Sequence, residues 1–373
     1  MKYLSGAERI QADALKGRRC ALLTNAGAVT ADGTRVVDAL QTAGINLTLL
    51  FSPEHGLAGT VADGVEVSEN RDVASGLPVV SLYGKTKEIP QENLDDFDVM
   101  LIDLPDVGVR YYTYPDTVFK VLDSCARAGK GAIILDRANP LGKALEGPLL
   151  EDGNQSDVGR FPVPVRHGMT LGEYAKLAIQ EFGVAPGIDL TVIPFAFEPA
   201  CENPLFPDFE RPWRNPSPNL RSFEALCCYP GTCLFEGTNL SEGRGTTAPF
   251  QLVGAPFVDA QALLKKVGQQ EFPGLRLAPA VFTPDANKFT GEACQGIEFH
   301  VTDVRQCRSF EAALRVLDAV RDLYPDAFEF RETHFDHLLG SSRYRLGTES
   351  LEGLLSRAER ECEEFSEKHY IHP

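Results

Sequence analysis

The sequence predicts an α/β fold: a Rossmann-like parallel sheet with helices on both faces, plus a smaller C-terminal α+β domain. Three observations predict it. Short apolar, β-prone runs alternate with helically spaced segments from Arg19 to Phe195. Several of those runs end in turns that carry acids or amides, as strands do at the ligand-binding edge of an open sheet. The chain has 373 residues, more than one typical core holds, and its pattern turns mixed beyond Phe250.

The elements follow in order. Residues 19–23 form a first strand that runs into Thr24-Asn25-Ala26-Gly27. Residues 34–43 put Val36, Val37 and Leu40 on one helical face, and Gly44 closes the helix. Residues 45–51 read as a buried parallel strand. Pro53 stops its ladder and leaves Glu54 and His55 just past its C-terminal end. Residues 77–83 and 98–104 supply two more strands, and residues 131–136 another. Between them, residues 113–128 carry Val118, Val121, Leu122 and Cys125 at helical spacing. Thr170-Leu171-Gly172-Glu173 is a capping box that opens a helix, and residues 189–195 are a further strand.

Prolines and glycines crowd residues 200–250, a composition that reads as long, functional loops. Beyond them the pattern gives a helix over 260–267, strands over 275–282 and 296–301, and helices over 309–323 and 349–368. The expected division is a Rossmann-like domain over 1–250 and an α+β domain over 251–373.

Charge narrows the partners. The 36 Lys+Arg against 53 Asp+Glu give a net charge of -17, which argues against nucleic acid or an anionic membrane. A small anionic ligand held by local arginines stays compatible. No apolar run approaches the roughly 20 residues of a membrane helix, and no signal-peptide pattern opens the sequence. The nine cysteines sit mostly in apolar runs and form no metal-type pairs, so a cytoplasmic, reducing compartment is expected.

Parallel pairing makes strand ends neighbours. Asn25, Glu54, Asp103, Asp106 and Asp136 therefore share one edge. A carboxylate half-shielded by apolar strand ends suits a proton donor, and clustered like charges keep a proton on one member near neutral pH. The bland alternative for each aspartate is a helix N-cap or turn residue. A second dense stretch, residues 234–247, sets Glu236, Thr238, Asn239, Ser241, Glu242 and Arg244 among glycines. Such polar groups on a permissive backbone match a polyhydroxylated substrate.

Other chemistries fit less well. The stretch has no G-x-x-x-x-G-K-[ST], and residues 27–33 lack the dinucleotide fingerprint, so no nicotinamide cofactor is expected. No G-x-S-x-G elbow exists for a serine nucleophile. His55, His167 and nearby aspartates match no metal spacing, and no metal is expected. Arg110, Arg137, Arg166 and Arg244 each sit in a loop where a guanidinium fork can meet a substrate carboxylate. Tyr111, Tyr112, Tyr114 and Trp213 offer stacking surfaces of the kind sugar rings use.

These residues resemble one family closely. Phe51-Ser52-Pro53-Glu54-His55-Gly56, Asp106-Val107-Gly108-Val109-Arg110-Tyr111-Tyr112-Thr113-Tyr114 and Leu135-Asp136-Arg137-Ala138-Asn139-Pro140 carry the resemblance in the first half. Val165-Arg166-His167-Gly168-Met169-Thr170, Pro216-Ser217-Pro218-Asn219 and the run from Tyr229 to Thr247 continue it. Together they resemble the NamZ-type exo-β-N-acetylmuramidases, with departures at Ala26 and at Leu104-Pro105.

The resemblance implies a glycoside hydrolase that releases N-acetylmuramic acid from the non-reducing end of peptidoglycan fragments, without a cofactor. It implies an active site in a cleft closed by the C-terminal domain. Glu54 matches the family's catalytic glutamate and is expected as general acid. The second carboxylate is Glu236 or Glu242 ahead of Asp106, and His55 and Asp103 tune or orient Glu54. Asn25, Arg110, Tyr112, Asp136, Arg137, Arg166, His167, Asn219, Thr238, Asn239 and Arg244 are the expected substrate contacts. The expected substrate is a muropeptide or the disaccharide of N-acetylmuramic acid and N-acetylglucosamine. Two rivals stand beside this: a non-catalytic muropeptide binder, and a metal-dependent hydrolase built on His55, Asp103, Asp106 and Asp136.

Overall fold

The computed structural model describes residues 2–59, 71–84, 87–268 and 270–369. The chain forms two compact units. The first takes Met1–Gly108, Tyr112–Lys143 and Gly168–Pro218, and the second takes Val109–Tyr111, Ala144–His167 and Asn219–Pro373. The expected boundary at residue 250 does not coincide with them. Residues 219–250 belong to the second unit because Phe223–Thr232 is a helix there, despite Pro230 within it. Ser222 caps that helix by accepting from the Ala225 amide at 3.1 Å. Gly231 lies so close to another backbone that a Cβ would sit 2.1 Å from the Ser309 carbonyl oxygen.

The first unit is built on six parallel strands: β1 (Cys20–Thr24), β2 (Leu47–Ser52), β3 (Val79–Ser81), β4 (Val99–Asp103), β5 (Gly131–Leu135) and β6 (Leu190–Ile193). Their order across the sheet is β3-β2-β1-β4-β5-β6. Pairing is parallel throughout, with Thr24 opposite Asp103 at the C-terminal end of the β1–β4 pair. The chain builds outward from β1 to β3, then returns to lay β4 on the other side of β1. Loops leaving β1 and β4 therefore diverge, which opens a crevice at the carboxyl edge. Leu22, Leu50 and Leu101 are sealed in the core beneath that edge.

The longer helices flanking the sheet are α1 (Val36–Thr42), α2 (Tyr114–Arg127) and α3 (Leu171–Phe182), and a four-residue helix, Gly6–Arg9, touches β5 and β6. The predicted capping box opens α3: Thr170 Oγ1 accepts from the Glu173 amide at 3.1 Å, and Glu173 Oε2 accepts from the Thr170 amide at 2.8 Å. Gly183, at φ 70°, ends it. A short antiparallel pair, Lys2–Leu4 with Ala196–Glu198, seats Tyr3 against Phe197 and Phe209.

The second unit holds a three-stranded antiparallel sheet of β7 (Leu252–Ala255), β8 (Leu275–Phe282) and β9 (Cys294–Val301), ordered β7-β9-β8. Around it run α4 (Phe223–Thr232), α5 (Ala260–Val267), α6 (Ser309–Leu323), α7 (Glu332–Leu339) and α8 (Leu351–Lys368). Among the described residues no helix is long and apolar enough to cross a membrane. All nine cysteines are free thiols.

Candidate active site

Glu54 stands where the sequence puts it, just past the end of β2, and is 8% exposed. His55 follows at φ 73° and Gly56 at φ 74°. A residue other than glycine at positive φ is uncommon, and it persists where the surroundings enforce it. The two left-handed residues swing the chain away directly after Glu54. From the start of α2, Thr113 Oγ1 donates to Glu54 Oε2 at 2.8 Å.

Asp106 leaves β4 on the same edge. Its Oδ2 accepts from the Gly108 amide at 3.0 Å. Burial raises its pKa to about 7 against the Gly108 and Val107 amides, with a smaller push from Asp136. Tyr112 and Tyr114 follow a few residues further along the chain. Burial raises both phenols first, and the charges of Asp106 and Glu54 add to that. Their rings meet at 4.5 Å and are buried, so they are not the open stacking platforms expected from the sequence. Asn25 is occupied too: Nδ2 donates to Tyr114 Oη at 2.6 Å and to the Pro216 carbonyl at 3.3 Å, while Oδ1 accepts from the Gly27 amide. It positions the phenol.

The other acids of this edge hold the fold. Asp103 is sealed in the core and meets Arg137 through a fork, Nε to Oδ1 at 2.5 Å and Nη2 to Oδ2 at 3.0 Å. Asp136 takes its bland role. Its oxygens accept from Thr170 Oγ1 at 2.7 Å and the Gly172 amide at 3.0 Å, fixing the start of α3, while burial raises its pKa to about 6. Among the described residues no group of three His, Cys, Asp or Glu is placed to hold a metal ion.

In the second unit Glu236 and Glu242 form one ionic network. Arg244 reaches Glu236 Oε1 at 2.6 Å and Glu242 Oε1 at 3.2 Å. Lys288 Nζ meets Glu242 Oε2 at 2.9 Å and also donates to the carbonyls of Phe235 and Leu240. Glu242 is 2% exposed and clamped by both cations. Burial raises the pKa of Glu236, opposed by His334, whose Nε2 lies 3.7 Å from Oε2. Thr238 and Asn239 serve the turn. Thr238 Oγ1 bridges the Phe235 carbonyl and the Leu240 amide, and Asn239 pairs with the backbone of Ala327 and Glu329.

The expected arginine rim is largely interior. Arg110 spends its terminal nitrogens on the carbonyls of Pro148, Val163, Leu338 and Leu339, all at 3.0 Å or less. Arg166 pairs with Glu146 at 2.7 Å and with the Cys307 carbonyl. Their forks thus close on the protein, not on a ligand carboxylate. His167 is buried beside them, and burial, then the Arg110 charge, lowers its pKa to about 3. Asn219 is half-buried.

A pocket in the first unit occupies the crevice between β1 and β4. Its walls are Tyr3, Phe206, Phe209, Trp213, Pro105 and Pro216. Asp106, Arg137, Arg211 and Arg214 also line it. Gly27 keeps one wall at bare backbone, because a Cβ there would fall 2.9 Å from Pro105 Cγ. Sequence reasoning missed Arg211 and Arg214. Their signal was the Arg211-Pro212-Trp213-Arg214 run, where only Trp213 stood out.

Comparison with known proteins identifies the family. The N-terminal domain of exo-beta-N-acetylmuramidase NamZ matches residues 20–224, and its C-terminal domain matches residues 227–370. The peptidoglycan beta-N-acetylmuramidase NamZ of Bacillus subtilis (strain 168) is 40% identical over 358 residues, covering 94% of this chain and 86% of that protein. A DUF1343 family protein of Bacteroides fragilis has a crystal structure of TM-score 0.90 at 29% identity, covering 100% of this chain and 99% of its own. A second from that organism gives a TM-score of 0.75 at 30% identity, with 99% and 98% covered. The chain belongs to the NamZ family of exo-β-N-acetylmuramidases.

Proposed function

We propose that this protein hydrolyses the β-1,4 bond that links a terminal N-acetylmuramic acid to the next sugar of a peptidoglycan fragment. Glu54 and Asp106 are the two carboxylates. One observation carries the assignment: both stand on the same carboxyl edge, and both bear on Tyr112 and Tyr114. Glycoside hydrolysis needs one carboxyl group that carries a proton and one that does not. Burial raises the pKa of Asp106 to about 7, so a large share of it carries a proton at neutral pH, and it suits the acid. Glu54, aimed by Thr113, is left to act as base or nucleophile. This reverses the role expected for Glu54 and favours Asp106 over Glu236 and Glu242, because Arg244 is paired with both of those glutamates and Lys288 holds Glu242 as well.

The metal-dependent alternative loses two of its four ligands, since both oxygens of Asp103 and of Asp136 are engaged. Free thiols throughout support a reducing compartment, the cytoplasm, with soluble muropeptides or the disaccharide as substrate. The test is turnover of a para-nitrophenyl β-N-acetylmuramide, with the glucosaminide as control. Glu54→Gln is expected to abolish turnover while binding persists. Equal turnover by Glu54→Gln and the parent, or no turnover by the parent, sinks the reading.

A further inference from the structure

We propose that the pocket between β1 and β4 receives the carboxylate-bearing side group of the muramic acid ring, with Arg214 as the cation that selects it. This rests on the hydrolase reading above. That side group is a lactyl ether, a methyl group and a carboxylate on one short stem. It asks for apolar walls and one available cation. Trp213, Pro105, Pro216 and Phe206 supply the walls.

The cations differ in availability. Arg137 is taken by Asp103, and Arg211 by Glu8 at 2.6 Å and the Tyr3 carbonyl at 2.8 Å. Arg214 is solvent-exposed, and among the described residues no carboxylate lies in ion-pair range of it. Its Nη2 lies over Gly33, 3.7 Å from where a Cβ would stand. Asp32, on the same loop, directs Oδ1 to Thr30 and Thr34 instead. Arg214 therefore offers an unspent guanidinium on the wall of an otherwise apolar pocket.

The location fits the reaction as well. Asp106 lines the same pocket, so a sugar whose glycosidic oxygen meets Asp106 has its substituents within this space. In a protein of net charge -17, an anion finds few places free of repulsion. With Asp103 and Glu8 paired to their arginines and Asp106 carrying its proton as the acid, the pocket is one of them. N-acetylglucosamine has no lactyl group, so it gains nothing from Arg214.

The experiment compares the parent and Arg214→Gln on three para-nitrophenyl β-glycosides: the muramide, its lactyl amide and the glucosaminide. Arg214→Gln is expected to lower kcat/KM on the muramide about 10- to 100-fold, the worth of a charge-assisted contact. The amide and the glucosaminide are expected to change by less than about 2-fold, so that selectivity collapses. Unchanged selectivity in Arg214→Gln, or an equal loss on all three, overturns the assignment. Should the parent cleave none of them, the hydrolase reading fails, and calorimetry tests the pocket by itself. A preference for N-acetylmuramic acid over N-acetylglucosamine that Arg214→Gln abolishes supports it, and equal affinities in the parent overturn it.

Discussion

The Thr113 hydroxyl donates a 2.8 Å hydrogen bond to Oε2 of Glu54, tying the start of α2 to the turn after β2. A carboxylate on a left-handed turn has rotamer freedom unless something holds it, and a near-attack geometry is lost by small displacements. Thr113→Val is expected to reduce kcat about 10-fold with KM little changed, and Thr113→Ser to restore it. Steady-state kinetics check this. A KM effect without a kcat effect would assign Thr113 to binding instead.

Asp106 sets the pH dependence. As the acid it must be protonated, so kcat/KM is expected to fall as pH rises through about 7. Asp106→Asn cannot donate a proton. It should lose the natural disaccharide about 100-fold or more, keep most turnover of a nitrophenyl glycoside, whose leaving group needs no proton, and lose the alkaline limb. The same shift affects stability. The folded pKa lies above the unfolded value of about 3.9, so the folded state binds more protons between the two and stability falls as pH rises through that window. Asp106→Asn is free of that loss. Its melting temperature relative to the parent should be higher at about pH 8 than at about pH 5, and a difference independent of pH would refute the titration.

The Asp103–Arg137 fork is a buried ion pair, and the two residues are not equivalent to an apolar contact. Arg137→Met strands a carboxylate in the core and is expected to cost about 3–5 kcal/mol. Asp103→Leu combined with Arg137→Met should recover most of that. Urea unfolding of the single and double variants measures the coupling, and additive effects would show that the pair does not act as one unit.

Arg110 provides the contrast between scaffold and site. Four carbonyls converge on its guanidinium, and lysine has neither the fork nor the donors to serve them. Arg110→Lys is expected to destabilise the protein by about 2 kcal/mol or more and to leave KM unchanged. A raised KM at unaltered stability would return Arg110 to the substrate.

Strands and their carboxyl edge were readable because each rests on local pattern. The β2 run and Pro53 place Glu54 without any knowledge of neighbours, and Thr170 with Glu173 states its own cap. Partners distant in sequence were not readable. Nothing near Arg110 announces Leu338 and Leu339, and nothing near Glu242 announces Lys288, so both looked free to meet a ligand. In the sequence Asp136 reads as cap or acid alike, and only the fold brings Thr170 and Gly172 to it. The helix over Phe223–Thr232 was hidden because Pro230 and Gly231 are breakers by propensity, and packing against Ser309 overrides that.

The chain visits the second unit briefly at Val109–Tyr111 and at Ala144–His167 before it stays there from Asn219 onward. Neither unit is therefore a continuous stretch of the gene. A fragment that begins at residue 219 would lack Glu146, Arg166 and the guanidinium of Arg110, and one that stops there would carry those segments with nothing to fold onto. A single crossover therefore cannot exchange either unit whole.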